Sequence, residues 1–142
     1  MDKEKIIEYG ILIASKELCI KPIDYAIDQE EVLKSKDLTG LYVPNEEILI
    51  FNSDWIEEAN INDILLVVFH EMRHYYQHRQ IDLLSKGLNL NEDRRAVDRW
   101  KTEFDKYKKP YIDNQKTYLE QEIEKDATEF SKELLNKVIK LI

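Results

Sequence analysis

The segment from Ile64 to His74 constrains this chain most, because an apolar run leads directly into two histidines four residues apart. The run Ile64–Phe69 predicts a helix that enters a hydrophobic core. On such a helix, His70 and His74 lie about 40° apart around the axis and roughly 6 Å apart along it. Burying two polar rings is costly unless they have partners. The segment therefore predicts a buried helix whose two imidazoles share one ligand.

The five residues His70-Glu71-Met72-Arg73-His74 form an HExxH pattern. This spacing is typical of zinc sites in which the glutamate accepts a proton from a metal-bound water. The remaining histidine, His78, lies about 12 Å along the same helix from His70, too far for one ion to reach both. We therefore predict that His70 and His74 bind Zn²⁺, that Glu71 is the general base, and that His78 is a surface or supporting residue.

A catalytic zinc usually has three protein ligands and one open position. With no other histidine and a single remote cysteine, the third ligand is expected to be a carboxylate. The start of the last predicted helix offers four: Glu120, Glu122, Glu124 and Asp126. Periodicity slightly favours Glu120, about 60° around the helix from Ile123, over Glu124 at about 100°. The residues alone leave both glutamates open.

Hydrophobic periodicity along the chain predicts a helix, then a small three-stranded sheet, then further helices, which is an α+β arrangement. Strands are expected at residues 22–28, 38–43 and 47–52, the last two as a hairpin turned at residues 44–46. Helices are expected at residues 3–18, 63–80, 91–108 and 117–139, with Asn62 as the cap of the second and a short helix after Asn52. Gly10 indicates close packing of the first helix, and the core should include Trp55, Met72 and Trp100. Residues 1–142 are predicted to form a single domain.

The net charge of −8 argues against nucleic acid or an anionic membrane as a partner. Cys19 is the only cysteine, so no intrachain disulfide is possible. No signal peptide and no apolar run near the length of a membrane span is evident. These features predict a cytoplasmic protein, and they indicate no particular oligomeric state.

Three pieces of the chain resemble the ImmA/IrrE-type metallopeptidases, which are small gluzincin-like enzymes. The first is a hairpin running from Gly40-Leu41-Tyr42 to Ile50-Phe51-Asn52, and the second is the HExxH pattern itself. The third is the downstream pattern Glu124-Lys125-Asp126-Ala127-Thr128-Glu129-Phe130-Ser131. The resemblance covers roughly residues 40–135. It implies a minimal zincin-like fold, in which the sheet packs on the HExxH helix.

In that family the glutamate six residues before the phenylalanine is the third zinc ligand, so the resemblance implies Glu124. It also implies a zinc metalloendopeptidase that cleaves a specific intracellular protein. The chain departs from the family at Thr128, where Asn or Asp is usual, and Asp126 is the candidate to support the site instead. The predicted helix at residues 91–108 is a further departure.

The predicted mechanism has Glu71 take a proton from the attacking water and pass it to the leaving amine. By analogy with small zinc peptidases, the substrate is expected to add as an extended strand at the hairpin edge, residues 46–51. Candidate donors to the developing oxyanion are Tyr111, Tyr118, Arg73 and Gln77. Gln77 is also a candidate for orienting a metal ligand.

Two other interpretations compete with the enzyme. The chain could be a zinc-stabilised interaction protein, such as a phage or immunity accessory factor, that cleaves nothing. Glu71 argues against this interpretation, because a structural zinc site needs no general base and usually has four protein ligands. The other alternative is a metal-free α+β domain with surface histidines.

Overall fold

The structure, a computed structural model, describes residues 2–28, 33, 38–106 and 121–141. Over these residues the fold is α+β, with five helices and one small mixed sheet, which confirms the predicted class. The helices are α1 (Lys3–Leu18), α2 (Ser53–Glu58), α3 (Ile61–Ser85), α4 (Arg94–Asp105) and α5 (Glu122–Leu141). The strands are β1 (Asp24–Asp28), β2 (Gly40–Val43) and β3 (Ile48–Asn52). The HExxH residues lie in α3, the longest helix.

Helix α1 has the bounds that its apolar stripe predicted. The side chain of Asp2 caps its first turn by accepting a hydrogen bond from the Glu4 N–H, and Cys19 ends the helix in the left-handed conformation at φ 56°. Gly10 faces α3, where an added Cβ would lie 2.9 Å from Cγ1 of the buried Val68. The expected close packing at this glycine is therefore confirmed.

Strand β3 is the central strand of the sheet. It pairs in parallel with β1 and antiparallel with β2, so β1 and β2 are the edges. The hairpin turn takes four residues, Pro44–Glu47, and Glu47 has a positive φ of 50°. The expectation that residues 46–51 offer a free edge is therefore wrong, because β1 occupies the side of β3 that the hairpin leaves open. Among the described strands, β2 is the other edge of the sheet.

The sheet packs on α3 through the face that carries Tyr42, Leu49 and Phe51, all of which are buried. Gly40 shares this face, and an added Cβ there would lie 3.0 Å from Cγ1 of Val67 on α3. The absence of a side chain at Gly40 thus lets β2 approach the HExxH helix closely. The opposite face of the hairpin is half-buried or exposed.

Helix α3 is longer than predicted at both ends. Asn60, not Asn62, is its cap, and its side-chain oxygen accepts a hydrogen bond from the Asp63 N–H at 2.9 Å. The helix continues to Ser85 because Ile81 and Leu84 still pack against the core. Helices α1, α4 and α5 and strand β2 all contact α3. The HExxH helix is thus the centre of the described fold, and no helix in the described ranges has the length and apolar character needed to cross a membrane.

Helix α4 is shorter than predicted at both ends, and α5, which begins at Glu122 in the described residues, runs two residues beyond its predicted end at 139. Asp93 caps α4, which begins at Arg94, and Gln121 precedes α5 in a bend. Residues 107–120 lie outside the described residues, so most of the predicted turn before 122 cannot be compared. As predicted, Met72 and Trp100 are buried, while Trp55 is partly buried against the core.

Candidate metal centre

Helix α3 places His70, Glu71 and His74 together on the side that faces α5 and β2. The two imidazole rings are 4.8 Å apart between centroids and nearly perpendicular, at 81°. One ligand atom from each of the three residues lies within 4.8 Å of the other two. Glu71 and His74 are buried, whereas the His70 side chain is 22% exposed. Solvent therefore reaches the group from the His70 side.

Helix α5 brings Glu124 to the same point from fifty residues further along the chain. Oε1 of Glu124 lies 2.9 Å from Nε2 of His70 and 3.2 Å from Nε2 of His74. The side chain of Glu124 is only 1% exposed. Of the two glutamates left open by periodicity, Glu124 is the one seen against both rings, and Glu120 lies outside the described residues.

His70, His74 and Glu124 fit a zinc ion in both chemistry and spacing. Two imidazole nitrogens and one carboxylate oxygen are a common donor set of catalytic zinc sites. Around a tetrahedral zinc with bonds near 2.1 Å, neighbouring donor atoms are roughly 3.4 Å apart. The distances from Glu124 to His70 and His74, 2.9 and 3.2 Å, are within a few tenths of that value. Two of the three donor separations are thus near the spacing that zinc requires.

The charges of this group are strongly coupled. Burial opposes ionisation of Glu124, but the charge of His74 and the hydrogen bonds from both rings outweigh it and hold the pKa of Glu124 well below its usual range. Burial would also lower the pKa of His74, but Glu124 and Glu71 together raise it to about 9. Without an ion, the proton on His74 therefore supplies the positive charge that balances Glu124.

Glu71 points toward the edge of the sheet. Its Oε1 accepts a hydrogen bond from the backbone N–H of Tyr42 on β2, 3.1 Å away. The Asn52 N–H donates to the Thr39 carbonyl, so these two residues form a hydrogen-bonded pair of the antiparallel ladder. Such pairs alternate with non-hydrogen-bonded pairs, and Tyr42 belongs to one of the latter, so its N–H points away from β3. Burial raises the pKa of Glu71, an effect that the nearby His74 and His70 partly offset. The Glu71 carboxylate is thus held beside β2, the edge strand of the hairpin.

The donors of Arg73 and Gln77 are directed at protein acceptors. The Arg73 guanidinium donates to Asp126 through Nε at 2.7 Å and Nη2 at 3.1 Å. Gln77 donates through Nε2 to Asp126 at 2.8 Å and to the Ile123 carbonyl at 3.1 Å, and its Oε1 lies 2.9 Å from Nδ1 of His74. The amide nitrogen of Gln77 and the Nε and Nη2 atoms of Arg73 are thus engaged with the protein, and the other candidates, Tyr111 and Tyr118, lie outside the described residues.

His78 does not join the metal-binding group. Its ring packs against Phe104 at 4.1 Å and Tyr42 at 5.3 Å between centroids. Burial and the nearby charge of His74 lower the pKa of His78 to about 4. The ring is therefore a neutral packing element between β2 and α4.

Two contributions to the site were not predicted from the sequence. One is the backbone N–H of Tyr42 at Glu71, for which a single strand carries no local signal. The other is Glu103 on α4, whose carboxylate accepts hydrogen bonds from the first N–H groups of α5, those of Glu122 and Ile123. The lack of a Ser, Thr, Asp or Asn immediately before Glu122 was the available signal that another segment caps this helix.

Comparisons of the chain with models of protein families, with curated proteins and with solved structures found no match. The geometry of the site therefore carries the functional argument.

Proposed function

We propose that this chain is a zinc-dependent metallopeptidase. The observation that carries the proposal is the position of Glu124, whose carboxylate lies within 3.2 Å of Nε2 of both His70 and His74. Glu71 is buried next to His70, His74 and Glu124 and faces β2, the edge strand of the hairpin. Three ligand atoms with solvent access and a neighbouring base are the arrangement that metal-assisted hydrolysis requires.

Zinc, when bound, lowers the pKa of a water molecule and polarises the scissile carbonyl. Glu71 takes the proton of the attacking water and transfers it to the leaving amine. The Tyr42 N–H holds one oxygen of Glu71, so the other oxygen is available for proton transfer.

The substrate in this proposal is an extended segment of a specific intracellular protein, and the enzyme acts in the cytoplasm. The segment adds as a strand along β2, in place of the β3 edge expected from the sequence. In the antiparallel pattern, Gly40 and Tyr42 direct their backbone groups away from β3. The Tyr42 N–H already donates to Glu71, so the peptide pairs with the Gly40 groups and the Tyr42 carbonyl. A peptide bound there passes directly beside Glu71.

The test combines metal analysis with a survey of peptide hydrolysis. Purified protein is expected to contain about one zinc per chain and to cleave members of a peptide library until a chelator is added. Glu71→Gln should retain zinc but lose hydrolysis, because the amide cannot accept the proton. Asp82→Asn, which removes a partly exposed carboxylate elsewhere on α3, is the matched control and should retain both.

Each outcome separates the competing interpretations. Zinc without hydrolysis in the unmodified protein indicates a zinc-stabilised interaction protein. Absence of zinc under saturating conditions indicates a metal-free domain. Equal turnover by the unmodified protein and Glu71→Gln removes Glu71 as the base.

A further inference from the structure

We propose that Gln77 is a positioning residue that, held in place by Asp126 and Arg73, fixes the tautomer and ring orientation of His74. This inference rests on the proposed zinc site. It concerns a chain of hydrogen bonds running from Arg73 through Asp126 and Gln77 to His74, all on α3 except for Asp126 on α5.

These hydrogen bonds run in one fixed direction, and Arg73 is the first donor. A guanidinium only donates hydrogen bonds, and an ionised carboxylate only accepts them. Arg73 donates to both oxygens of Asp126, at 2.7 Å to Oδ2 and 3.1 Å to Oδ1. Both oxygens of Asp126 are therefore acceptors in this paired contact, and Oδ2 also accepts from Gln77.

The orientation of the Gln77 amide follows from its neighbours. Its nitrogen lies 2.8 Å from Oδ2 of Asp126 and 3.1 Å from the carbonyl oxygen of Ile123, two groups that can only accept. A reversed amide would set its oxygen against both acceptors, and Gln77 is fully buried, so no bulk water could compensate. The amide oxygen must therefore face Nδ1 of His74.

The consequence for His74 is a single usable tautomer. Because Oε1 of Gln77 only accepts, Nδ1 of His74 must carry the hydrogen of their 2.9 Å contact. The electron pair available for an ion is then on Nε2, the nitrogen that faces Glu124. A supporting hydrogen bond of this kind also increases the basicity of the ligand ring.

Three aromatic rings pack around Arg73, the first donor in this series of hydrogen bonds. The guanidinium carbon of Arg73 lies 4.6 Å from the ring centre of Tyr76, 5.1 Å from that of Phe130 and 5.6 Å from that of Trp100. A second carboxylate, Glu92, lies 3.4 Å from Nη2 and also accepts from the Tyr76 hydroxyl. Arg73, a variable position of HExxH, thus anchors the support of the second histidine.

The test compares two fully buried glutamines of α3. Gln77→Met removes the acceptor of the His74 Nδ1–H at nearly constant volume and should weaken zinc binding, measured by chelator competition, about 10–100-fold. Gln80→Met is the matched control, because Gln80 is equally buried but accepts from the Asn91 N–H, away from the ligands. Its zinc affinity should be that of the unmodified protein.

A second readout is independent of zinc. In nitrogen-15 NMR spectra of the metal-free protein, the His74 Nδ1–H should be observed and should exchange slowly in the unmodified protein and in Gln80→Met, and rapidly in Gln77→Met. Gln77→Glu should weaken zinc binding because it sets a carboxylate against Asp126.

Equal losses of affinity in Gln77→Met and Gln80→Met would overturn the proposal, since they would show a purely structural effect. Slow exchange of the His74 Nδ1–H in Gln77→Met would overturn it as well. If the unmodified protein binds no zinc, the proposed function fails, and the NMR measurement still decides whether Gln77 accepts the hydrogen bond from the His74 Nδ1–H.

Discussion

The carboxylate of Glu103 on α4 accepts a hydrogen bond from the backbone N–H of Ile123, 2.8 Å away, in the first turn of α5. Its other oxygen accepts from the Glu122 N–H at 2.9 Å. The first N–H groups of a helix have no partner within the helix, and a negative charge near them is favourable. Glu103 thus caps α5 at its first residue, Glu122, two positions before Glu124. The position of the third candidate ligand depends on a side chain from a different helix.

We expect Glu103→Ala to lower the free energy of unfolding by about 1 kcal/mol, which is typical for the loss of a helix cap. It should also weaken zinc binding, because the first turn of α5 carries Glu124. The measurements are urea unfolding and chelator competition. Asp98→Ala removes an exposed carboxylate from the same helix and is the control. Equal behaviour of the two variants would contradict the capping role.

Glu124→Ala should abolish stoichiometric zinc binding. The variant loses the only carboxylate that the described structure places against both His70 and His74, whereas Glu122→Ala removes an exposed neighbour and should retain zinc. The metal content of folded protein, checked by circular dichroism, decides between them. Loss of zinc in Glu120→Ala with retention in Glu124→Ala would transfer the ligand role to Glu120.

Gly10→Ala should destabilise the protein, although alanine is favoured over glycine in a helix by about 1 kcal/mol. The new methyl group would lie 2.9 Å from Cγ1 of Val68, which is completely buried, and overpacking typically costs about 1–3 kcal/mol. In a Val68→Ala background the 2.9 Å contact is removed, although Cδ2 of Leu65 and Cβ of residue 68 each remain 3.2 Å from the added atom, so the same substitution should cost less there. Thermal unfolding of the four proteins of this cycle gives the sign, and stabilisation by Gly10→Ala alone would contradict the tight α1–α3 contact.

The stability of the metal-free protein should fall as the pH decreases from about 6.5 to about 4, in part because of His78. The unfolded chain binds a proton at His78 near its ordinary pKa, but burial and the charge of His74 lower the pKa in the folded state to about 4. His78→Phe preserves the packing against Phe104 and Tyr42 without a titrating group. Urea unfolding in the presence of a chelator should show a smaller pH dependence for this variant, and identical slopes would count against a buried neutral ring.

Sequence patterns within one helix were sufficient to predict features that depend on that helix alone. The apolar stripe of α1 predicted its bounds, and the spacing of HExxH placed both rings on one face of α3. The cap of α3 was misassigned because Asn60 and Asn62 are equally good capping residues and only the fold chooses between them. Its C-terminal end was underestimated because Ile81 and Leu84 are buried by neighbouring elements that periodicity does not reveal.

Long-range pairings were not accessible from such patterns. The parallel pairing of β1 with β3 makes β3 the central strand, and nothing within the hairpin indicates it. Angles measured around one helix slightly favoured Glu120, since they contain no information on how α5 docks against α3. The contact between Arg73 and Asp126 joins residues 53 positions apart, so it too depends on the assembled helices.

The origin of the candidate ligands in two separate stretches of sequence has a consequence for the folding of the chain. An ion held by His70, His74 and Glu124 would form a reversible crosslink between α3, in the middle of the polypeptide, and α5 at its C-terminal end. Metal supply would then control how firmly that helix is attached. We expect chelation to increase amide hydrogen exchange in α5 before it affects α1.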